Sequence, residues 1–291
     1  MIALLLSILS SSAIYIAFKL FGKYNINTLN ALVINYFTAF SLGLLIQNNF
    51  TLQTFAELPT RDWFFGSMAL GGMFILVFTL MVITTQRGGM SVVSVSSKMS
   101  VAIPVVFVIF YYNEPLDMFK IFGIIMALAS VYLVSVRRKD GLKINYRYFI
   151  FPVLVFLGSG LIESSIKFLE NTYVAKDEIS LFSASTFFFA FFTGGIVIGF
   201  RELKSKTSFN LKDVWGGIVL GIPNYFSIYF FILALRIEGF ESSSIFIINN
   251  VSIVLLSTFL GLLFFKERLI FKNWVGVAVA VLSIILITYA P

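Results

Sequence analysis

The composition of this 291-residue chain indicates a membrane protein and excludes several kinds of chemistry. Hydrophobic residues make up 59% of it and charged residues 12%, whereas a soluble domain has roughly 45–50% and about 25%. With no Cys and no His, we expect no disulfide, no Cys/His metal site and no thiol or imidazole catalysis. The net charge of +7 comes from short basic loops between apolar segments, which is typical of topology signals rather than of nucleic-acid binding.

Ten apolar segments are long enough to cross a bilayer, which takes about 20 helical residues. In chain order the predicted spans are 2–21, 28–47, 63–84, 90–112, 118–136, 148–168, 178–200, 213–235, 241–265 and 271–290. The first segment lacks the basic start of a signal peptide, so we interpret it as a span. We therefore expect an all-α integral membrane protein with ten transmembrane helices, located as a multi-pass protein in the cytoplasmic (inner) membrane.

The second half of the chain repeats residues of the first half in the same order. The matched pairs include Lys19 with Lys167, Gly43 with Gly194, Asp62 with Asp213, Glu114 with Glu267 and Gly123 with Gly276. The spacing between partners grows only at loops, as expected when the bilayer fixes the length of the spans. Five spans per copy is an odd number, so the copies 1–140 and 141–291 form two inverted five-helix repeats, an arrangement typical of secondary transporters.

The basic loops also predict an orientation. Most Lys and Arg residues follow the odd-numbered spans, and the loops on the other side carry Arg61, Lys120, Lys176 and Arg236. Because basic loops stay in the cytoplasm, this pattern predicts that both termini face outward.

Lys98 is the most informative single residue, since it lies near the middle of the predicted fourth span. An ionisable group at that depth costs about 2.5–3.5 kcal/mol unless it faces a cavity or a partner. Ser91 and Ser94 share its helix face, and the repeat aligns this region with Asn249 and Asn250 of the ninth span. We expect a polar patch in which Lys98 attracts a carboxylate or phosphate of the substrate and the two amides donate hydrogen bonds.

The structural alternative is that backbone carbonyls or Glu163 satisfy the Lys98 ammonium while the Asn side chains join helices. Glu163 also precedes Lys167 by four residues, a spacing that favours an ion pair on one helix, and Lys167 is repeated as Lys19. A carboxylate in a span is suited to carry a proton in coupled transport, so Glu163, Lys167 and Lys19 are candidates for coupling or gating. A purely structural pair fits the pattern equally well.

Pro223 is predicted to interrupt the eighth span, next to Asn224, Tyr225 and Tyr229. Broken helices near the bilayer middle often form transport sites, so these residues are candidates for substrate binding or gating. The tyrosines are suited to stack on a planar substrate, although aromatic residues also pack at helix and lipid interfaces. Pro104 is predicted to kink the fourth span and to act as a hinge.

Other repeated residues are interpreted structurally. Glu114 and Glu267 end the fourth and ninth spans, where helix capping or closure of a short loop is the simplest role. The small residues Gly66, Gly71, Gly194, Gly195, Gly216, Gly217, Gly221 and Ser242 to Ser244 are expected to let helices approach closely.

Two segments carry a resemblance to a known family. Met90 to Ser130 and Gly221 to Ile287 each have a small-residue-rich span that ends in Glu, a short polar link and a span with Gly. They resemble EamA-type members of the drug/metabolite transporter superfamily. The resemblance implies a fold of ten helices in two inverted repeats around a central cavity, with transport of small metabolites by alternating access.

Two features depart from that family. Many relatives carry an Arg in the second span where this chain has Asn35 and Tyr36, so that contact differs here and both residues are candidates for substrate binding. Relatives usually have cytoplasmic termini, opposite to the orientation that the basic loops predict, and both orientations stay open.

Taken together, these patterns predict a secondary active transporter that exports or exchanges amino acids, related metabolites or drugs. Protons or a counter-substrate would drive it, because the chain has no Walker motif for ATP. We expect no enzyme activity, cofactor or metal, membrane lipids as surroundings, and a monomer or homodimer. The alternatives are an integral-membrane enzyme acting on lipid, which would turn over in detergent, and a membrane sensor or channel subunit.

Overall fold

The computed structural model describes residues 1–47, 56–88, 96–115, 117–135, 150–204, 210–265 and 270–288. Over these residues the chain is helical and contains no strand. The longer helices are α1 (Ile2–Tyr24), α2 (Thr28–Ile46), α3 (Phe64–Gly88), α4 (Ala102–Tyr112), α5 (Met118–Ser135), α6 (Ile150–Thr172), α7 (Ile179–Lys204), α8 (Leu211–Leu235), α9 (Ser242–Phe265) and α10 (Phe271–Thr288). Two 3₁₀ turns, Leu58–Thr60 and Lys176–Glu178, precede α3 and α7. The all-α class expected from the sequence is confirmed.

The helices coincide with the predicted membrane spans. Seven of them, α1 to α3 and α6 to α9, are long and apolar enough to cross a membrane. Shorter apolar helices, Ser96–Tyr112, Met118–Leu133 and Phe271–Ile287, occupy the predicted fourth, fifth and tenth spans. Large apolar side chains such as Leu45, Phe110 and Phe271 are exposed on their surfaces, as expected for helices that face lipid. The chain is a multi-pass membrane protein.

The predicted fourth span is interrupted by a short turn after Met99. Residues 96–99 are helical, residues 100–101 form a turn, and α4 begins at Ala102. Pro104 lies in the first turn of α4, where its missing N–H is tolerated, and Ile103 donates its N–H to the Ser100 carbonyl at 2.9 Å. The discontinuity therefore lies between Lys98 and Pro104. Ser91 and Ser94 lie outside the described residues.

The predicted interruption of the eighth span at Pro223 is wrong. Helix α8 continues through this proline from Leu211 to Leu235. A proline removes one backbone hydrogen bond, and close packing of α8 on α2 supports the helix around that point. A Cβ on Gly217 would lie 2.5 Å from Cβ of Ile34, and one on Gly221 2.6 Å from Cβ of Thr38.

The helices group into two compact units. Unit 1 comprises Met1–Leu76 and Ser165–Ala234, and unit 2 comprises Val77–Ser164 and Leu235–Pro291. Each unit contains residues from both predicted repeats, 1–140 and 141–291. The two compact units are therefore not the two halves of the sequence. The assignment of two inverted repeats stays a prediction.

In unit 1, glycines allow α2 and α3 to approach α7. A Cβ on Gly43 would lie 2.5 Å from Cβ of Ala184, and a Cβ on Gly71 would lie 2.5 Å from Cβ of Phe189. Real Cβ atoms do not approach this closely, so the helix spacing depends on these glycines, as small residues in membrane helix interfaces usually do.

In unit 2, α5 packs against α10, and the two helices share a repeated detail. The Ser130 hydroxyl donates to the Ala127 carbonyl at 2.7 Å, and the Ser283 hydroxyl donates to the Ala280 carbonyl at 2.8 Å. Both serines are buried. The sequence repeat also pairs Ser130 with Ser283 and Ala127 with Ala280, so these paired residues make the same contact in the two helices.

Carboxylates tie helix starts together in unit 1. The buried Asp213, in the first turn of α8, accepts hydrogen bonds from the backbone N–H of Asn27 at 2.8 Å and from Nδ2 of Asn30 at 3.1 Å. Glu178, before α7, accepts from Arg61 at 2.7 Å and from Nε1 of Trp63 at 2.9 Å. The starts of α8 and α2, and of α7 and α3, are joined in this way.

In unit 2 the carboxylate of Glu114 joins the end of α4 to the start of α9. Its carboxylate accepts hydrogen bonds from the backbone N–H groups of Ser242 at 2.9 Å and of Ser243 at 3.1 Å, the first two residues of α9. The buried Lys120 lies 3.8 Å from Glu114 and also pairs with Glu241. Helix capping by Glu114 is thus confirmed, and its partner in the repeat, Glu267, lies outside the described residues.

Candidate functional site

Lys98 lies in unit 2 at the end of a helical turn that stops just before α4. Its side chain is buried, with 9% of the residue exposed. The ammonium Nζ donates a hydrogen bond to Oδ1 of Asn250 on α9 at 3.5 Å. The sequence predicted that Lys98 would meet the amides of the ninth span, and the structure brings Lys98 and Asn250 together.

Asn250 connects three elements of unit 2. Besides accepting from Lys98, it donates from Nδ2 to the Phe246 carbonyl at 3.1 Å, one turn earlier on α9. Its side chain also hydrogen bonds to Glu163 of α6. Its neighbour Asn249 is buried as well. We call Lys98, Glu163 and Asn250 the Lys98 cluster.

Glu163 supplies the negative charge of the Lys98 cluster. Lys98 acts on its carboxylate electrostatically. The oxygen Oε2 is buried and has no hydrogen-bond partner among the described residues, which is unusual because buried polar atoms are normally paired. The cluster therefore combines an ammonium, an amide and a carboxylate oxygen that is open to a further donor.

Lys167 has a partner that the sequence analysis missed. Its ammonium donates to Oε2 of Glu170 at 3.2 Å, three residues along α6, and both side chains are buried. The four-residue spacing of Glu163 and Lys167 predicted an ion pair between them, but a three-residue spacing also brings side chains together on a helix, and Lys167 pairs with Glu170. Lys19 belongs to α1, and its side chain lies outside the described residues.

Asn35 and Asn224 form a polar contact between α2 and α8 in unit 1. Asn224 donates from Nδ2 to Oδ1 of Asn35 at 3.0 Å, and both residues are buried. The Nδ2 of Asn35 has no partner among the described residues. The pair joins two helices and leaves one buried amide able to donate a hydrogen bond.

Tyr225 is part of the helix packing of unit 1. It is fully buried, and its hydroxyl forms a 2.8 Å hydrogen bond with the Ser180 hydroxyl, which donates to the Gly43 carbonyl at 3.0 Å. Tyr229, one turn along α8, is half-buried and stacks on Tyr225 with ring centroids 5.7 Å apart. Of the two tyrosines, Tyr229 is therefore the one whose surface a ligand is able to reach.

Tyr36 is also enclosed by aromatic rings. It is fully buried and lies 6.2 Å from the Phe187 ring and 6.5 Å from the Phe74 ring, measured between centroids. In this structure Tyr36 contributes to packing of α2 in unit 1.

Comparison with known proteins agrees with the fold. An uncharacterized protein of Haemophilus influenzae is 26% identical over 98% of this chain and 97% of its own length. A solved crystal structure matches 98% of this chain and 94% of its own with a TM-score of 0.76, at 12% identity, which is a likeness of fold alone. Residues 1–136 match the EamA-like transporter family.

The family matched by residues 1–136 is a family of transporters, and seven of the helices described above are long and apolar enough to cross a membrane. The resemblance drawn from the sequence is thereby confirmed: residues 1–136 of this multi-pass membrane protein match the EamA-like transporter family.

Proposed function

We propose that this protein is a secondary active transporter that moves small metabolites across the cytoplasmic membrane by alternating access. Its substrates are amino acids, related metabolites or small drugs, which it exports or exchanges. The match of residues 1–136 to a transporter family supports this proposal, as do the many apolar helices.

The burial of Lys98 carries the proposal of a substrate site. An ammonium among membrane helices costs about 2.5–3.5 kcal/mol, so its presence requires a compensating role. The Lys98 ammonium donates to the neutral Asn250 amide at 3.5 Å, which is a long hydrogen bond, and it interacts electrostatically with Glu163. A carboxylate or phosphate of the substrate would bind Lys98 more strongly than this amide does. Asn249 would donate a hydrogen bond beside it, and Asn250, which donates to Phe246 and Glu163, would hold Lys98 in position.

The residues of unit 1 have a secondary role in this proposal. The Nδ2 of Asn35, which has no hydrogen-bond partner among the described residues, would donate to a polar ligand group beside Asn224. Tyr229 would stack on a planar substrate, whereas the buried Tyr36 and Tyr225 would hold α2 and α8 in position. Pro104, next to the turn at residues 100–101, would act as the hinge that lets the Lys98 segment move.

Thermal unfolding of the purified protein against a panel of ligands tests the substrate site. The panel holds amino acids, phosphorylated metabolites, nucleosides and cationic drugs. A ligand at 100 times its Kd stabilises by about 2.7 kcal/mol, and we expect this stabilisation with an anionic class. It should disappear in Lys98→Ala and persist in Lys176→Ala, which removes an exposed lysine. Stabilisation that is equal in wild type and Lys98→Ala would show that the substrate binds elsewhere.

A further inference from the structure

We propose that Glu163 takes up a proton when an anionic substrate group binds to Lys98, so that the proton and the anion cross the membrane in the same direction. This inference rests on the proposed function to the extent that Lys98 binds the anionic group. It adds the coupling ion, the residue that carries it and the direction of coupling. An anion that leaves the cell would take a proton with it, so the outward concentration gradient of the anion, and not the inward proton gradient, would drive export.

The geometry links the two charged groups through one side chain. Lys98 donates to Oδ1 of Asn250 at 3.5 Å, and the same amide hydrogen bonds to Glu163. The other carboxylate oxygen of Glu163, Oε2, is buried and has no partner in the described residues. A buried carboxylate in this position depends on a nearby positive charge for its stability, and Lys98 supplies it.

Other charges near Glu163 do not take over this role. From α9 the carboxylate meets the neutral amide of Asn250, and from the segment before α4 it meets Lys98. Lys167, on α6 itself, donates to Glu170. Within the described part of unit 2, the charge state of Glu163 is therefore most sensitive to what happens at Lys98.

The balance of charge explains why a proton would follow the anion. With the site empty, the ammonium of Lys98 and the carboxylate of Glu163 sum to zero. An anion on Lys98 would leave one uncompensated negative charge among apolar helices, which is costly. A proton from the aqueous phase that forms an O–H bond at Oε2 restores the sum to zero, and on release it returns to water on the other side. No other bond forms or breaks.

Linkage then fixes the direction of coupling. If the anion raises the affinity of Glu163 for a proton by some factor, the proton raises the affinity of Lys98 for the anion by the same factor. The doubly loaded and the empty site are the two neutral states, so the protein would change conformation in these two states. Protonated Oε2 also becomes a donor, able to hydrogen bond to the substrate anion.

Infrared spectroscopy of the ligand-free protein tests the link between Lys98 and Glu163. The Lys98→Gln variant imitates a lysine whose charge an anion has neutralised. The C=O stretching band of a protonated carboxylic acid should persist to a pH higher by at least about one unit in Lys98→Gln than in wild type. The band should be missing from the Lys98→Gln/Glu163→Gln double variant, and Lys176→Gln should titrate as wild type does.

Two results of this titration would overturn the inference. One is the same titration pH in wild type and Lys98→Gln; the other is a band that survives Glu163→Gln, since it would then belong to another carboxyl group. Lys98→Arg, which keeps the charge, should titrate as wild type does and is the matched control. Lys98→Met, which also removes the charge, replaces Lys98→Gln if that variant does not fold. No ligand is used, so a negative result here would overturn the coupling inference and leave the substrate proposal standing. Equally, a failure of the substrate proposal would not change this titration.

Binding-coupled proton uptake is the second measurement. The purified protein, in weakly buffered detergent with a pH-sensitive dye, is mixed separately with L-glutamate, lactate and inorganic phosphate. An anion that stabilises wild type should cause proton uptake, and Glu163→Gln should lose this uptake. Release of protons, or binding without uptake, would contradict the inference. If none of the three anions binds, the infrared titrations of wild type and Lys98→Gln decide whether the inference holds.

Discussion

The Lys98 ammonium lies 3.5 Å from the amide oxygen of Asn250, a residue 152 positions further along the chain. The sequence repeat had aligned the surroundings of Lys98 with this part of α9, so a comparison of the two halves found a real contact. The role of the pair in substrate binding stays a prediction.

Replacing Asn250 should disturb both charged residues of the Lys98 cluster. Asn250→Ala removes the acceptor for Lys98 and the partner of Glu163, and unsatisfied buried polar groups cost about 1–3 kcal/mol each. We expect a lower midpoint of thermal unfolding and weaker stabilisation by the ligand found with the panel. An unchanged midpoint with unchanged ligand binding would mean that the contact has no role.

Two adjacent glycines of α3 provide a matched test of helix packing. A Cβ on Gly71 would lie 2.5 Å from Cβ of Phe189 and 2.7 Å from the backbone nitrogen of Ala190, whereas a Cβ on Gly72 meets nothing within 4 Å. Gly71→Ala should destabilise by about 1–3 kcal/mol through overpacking. Gly72→Ala should be neutral or stabilise by up to about 1 kcal/mol, since Ala favours helix. Equal unfolding midpoints for the two variants would contradict the packing of α3 on α7.

The cap of α9 should contribute to stability and not to transport specificity. Glu114→Ala leaves two backbone N–H groups of α9 without their acceptor, at a cost of about 1–2 kcal/mol for a lost cap. It also deprives the buried Lys120 of one of its carboxylates. Thermal unfolding should show the loss, while the identity of the stabilising ligand stays the same.

A surface carboxylate is the control for Glu114. Glu57 lies 3.7 Å from Arg61, and both side chains are partly exposed, so Glu57→Ala should change stability by about 1 kcal/mol or less. A loss in Glu57→Ala as large as that in Glu114→Ala would show that the cap has no special importance.

The two tyrosines of α8 should respond differently. Tyr225→Phe removes one hydrogen bond with Ser180, which should lower stability by about 0.5–1.5 kcal/mol and leave substrate affinity unchanged. Tyr229→Leu removes a half-buried ring and should weaken binding of aromatic substrates relative to aliphatic ones. Binding assays by thermal shift separate the two effects. If Tyr225→Phe lowered substrate affinity and Tyr229→Leu did not, then Tyr225, and not Tyr229, would be the residue that contacts the substrate.

Apolar length made the helices predictable from the sequence. A span needs a run of apolar residues that the bilayer fixes in length, and each predicted span coincides with an apolar helix among the described residues. Glu114 was predicted to cap a helix. The helix that it caps is α9, and no local sequence pattern identifies this distant partner. Long-range contacts of this kind depend on how distant helices pack.

The two prolines show the limit of a local rule. Both Pro104 and Pro223 were predicted to disturb a helix, yet the chain turns just before the first and continues as helix through the second. The glycines that let α8 approach α2 support the helix around Pro223. The outcome depends on neighbouring helices, and the sequence near a proline does not contain that information.

Counterflow in sealed proteoliposomes tests the central claim most directly. Vesicles with wild type, Lys98→Ala or Lys176→Ala are loaded with the unlabelled compound that stabilised the protein most, and diluted into the same compound carrying a radioactive label. We expect transient accumulation of label with wild type and Lys176→Ala. With Lys98→Ala the accumulation should fall at least about tenfold, equivalent to about 1.4 kcal/mol. Leaky vesicles should accumulate no label. Equal accumulation with Lys98→Ala, or chemical conversion of the compound without sealed vesicles, would contradict a carrier whose substrate binds at Lys98.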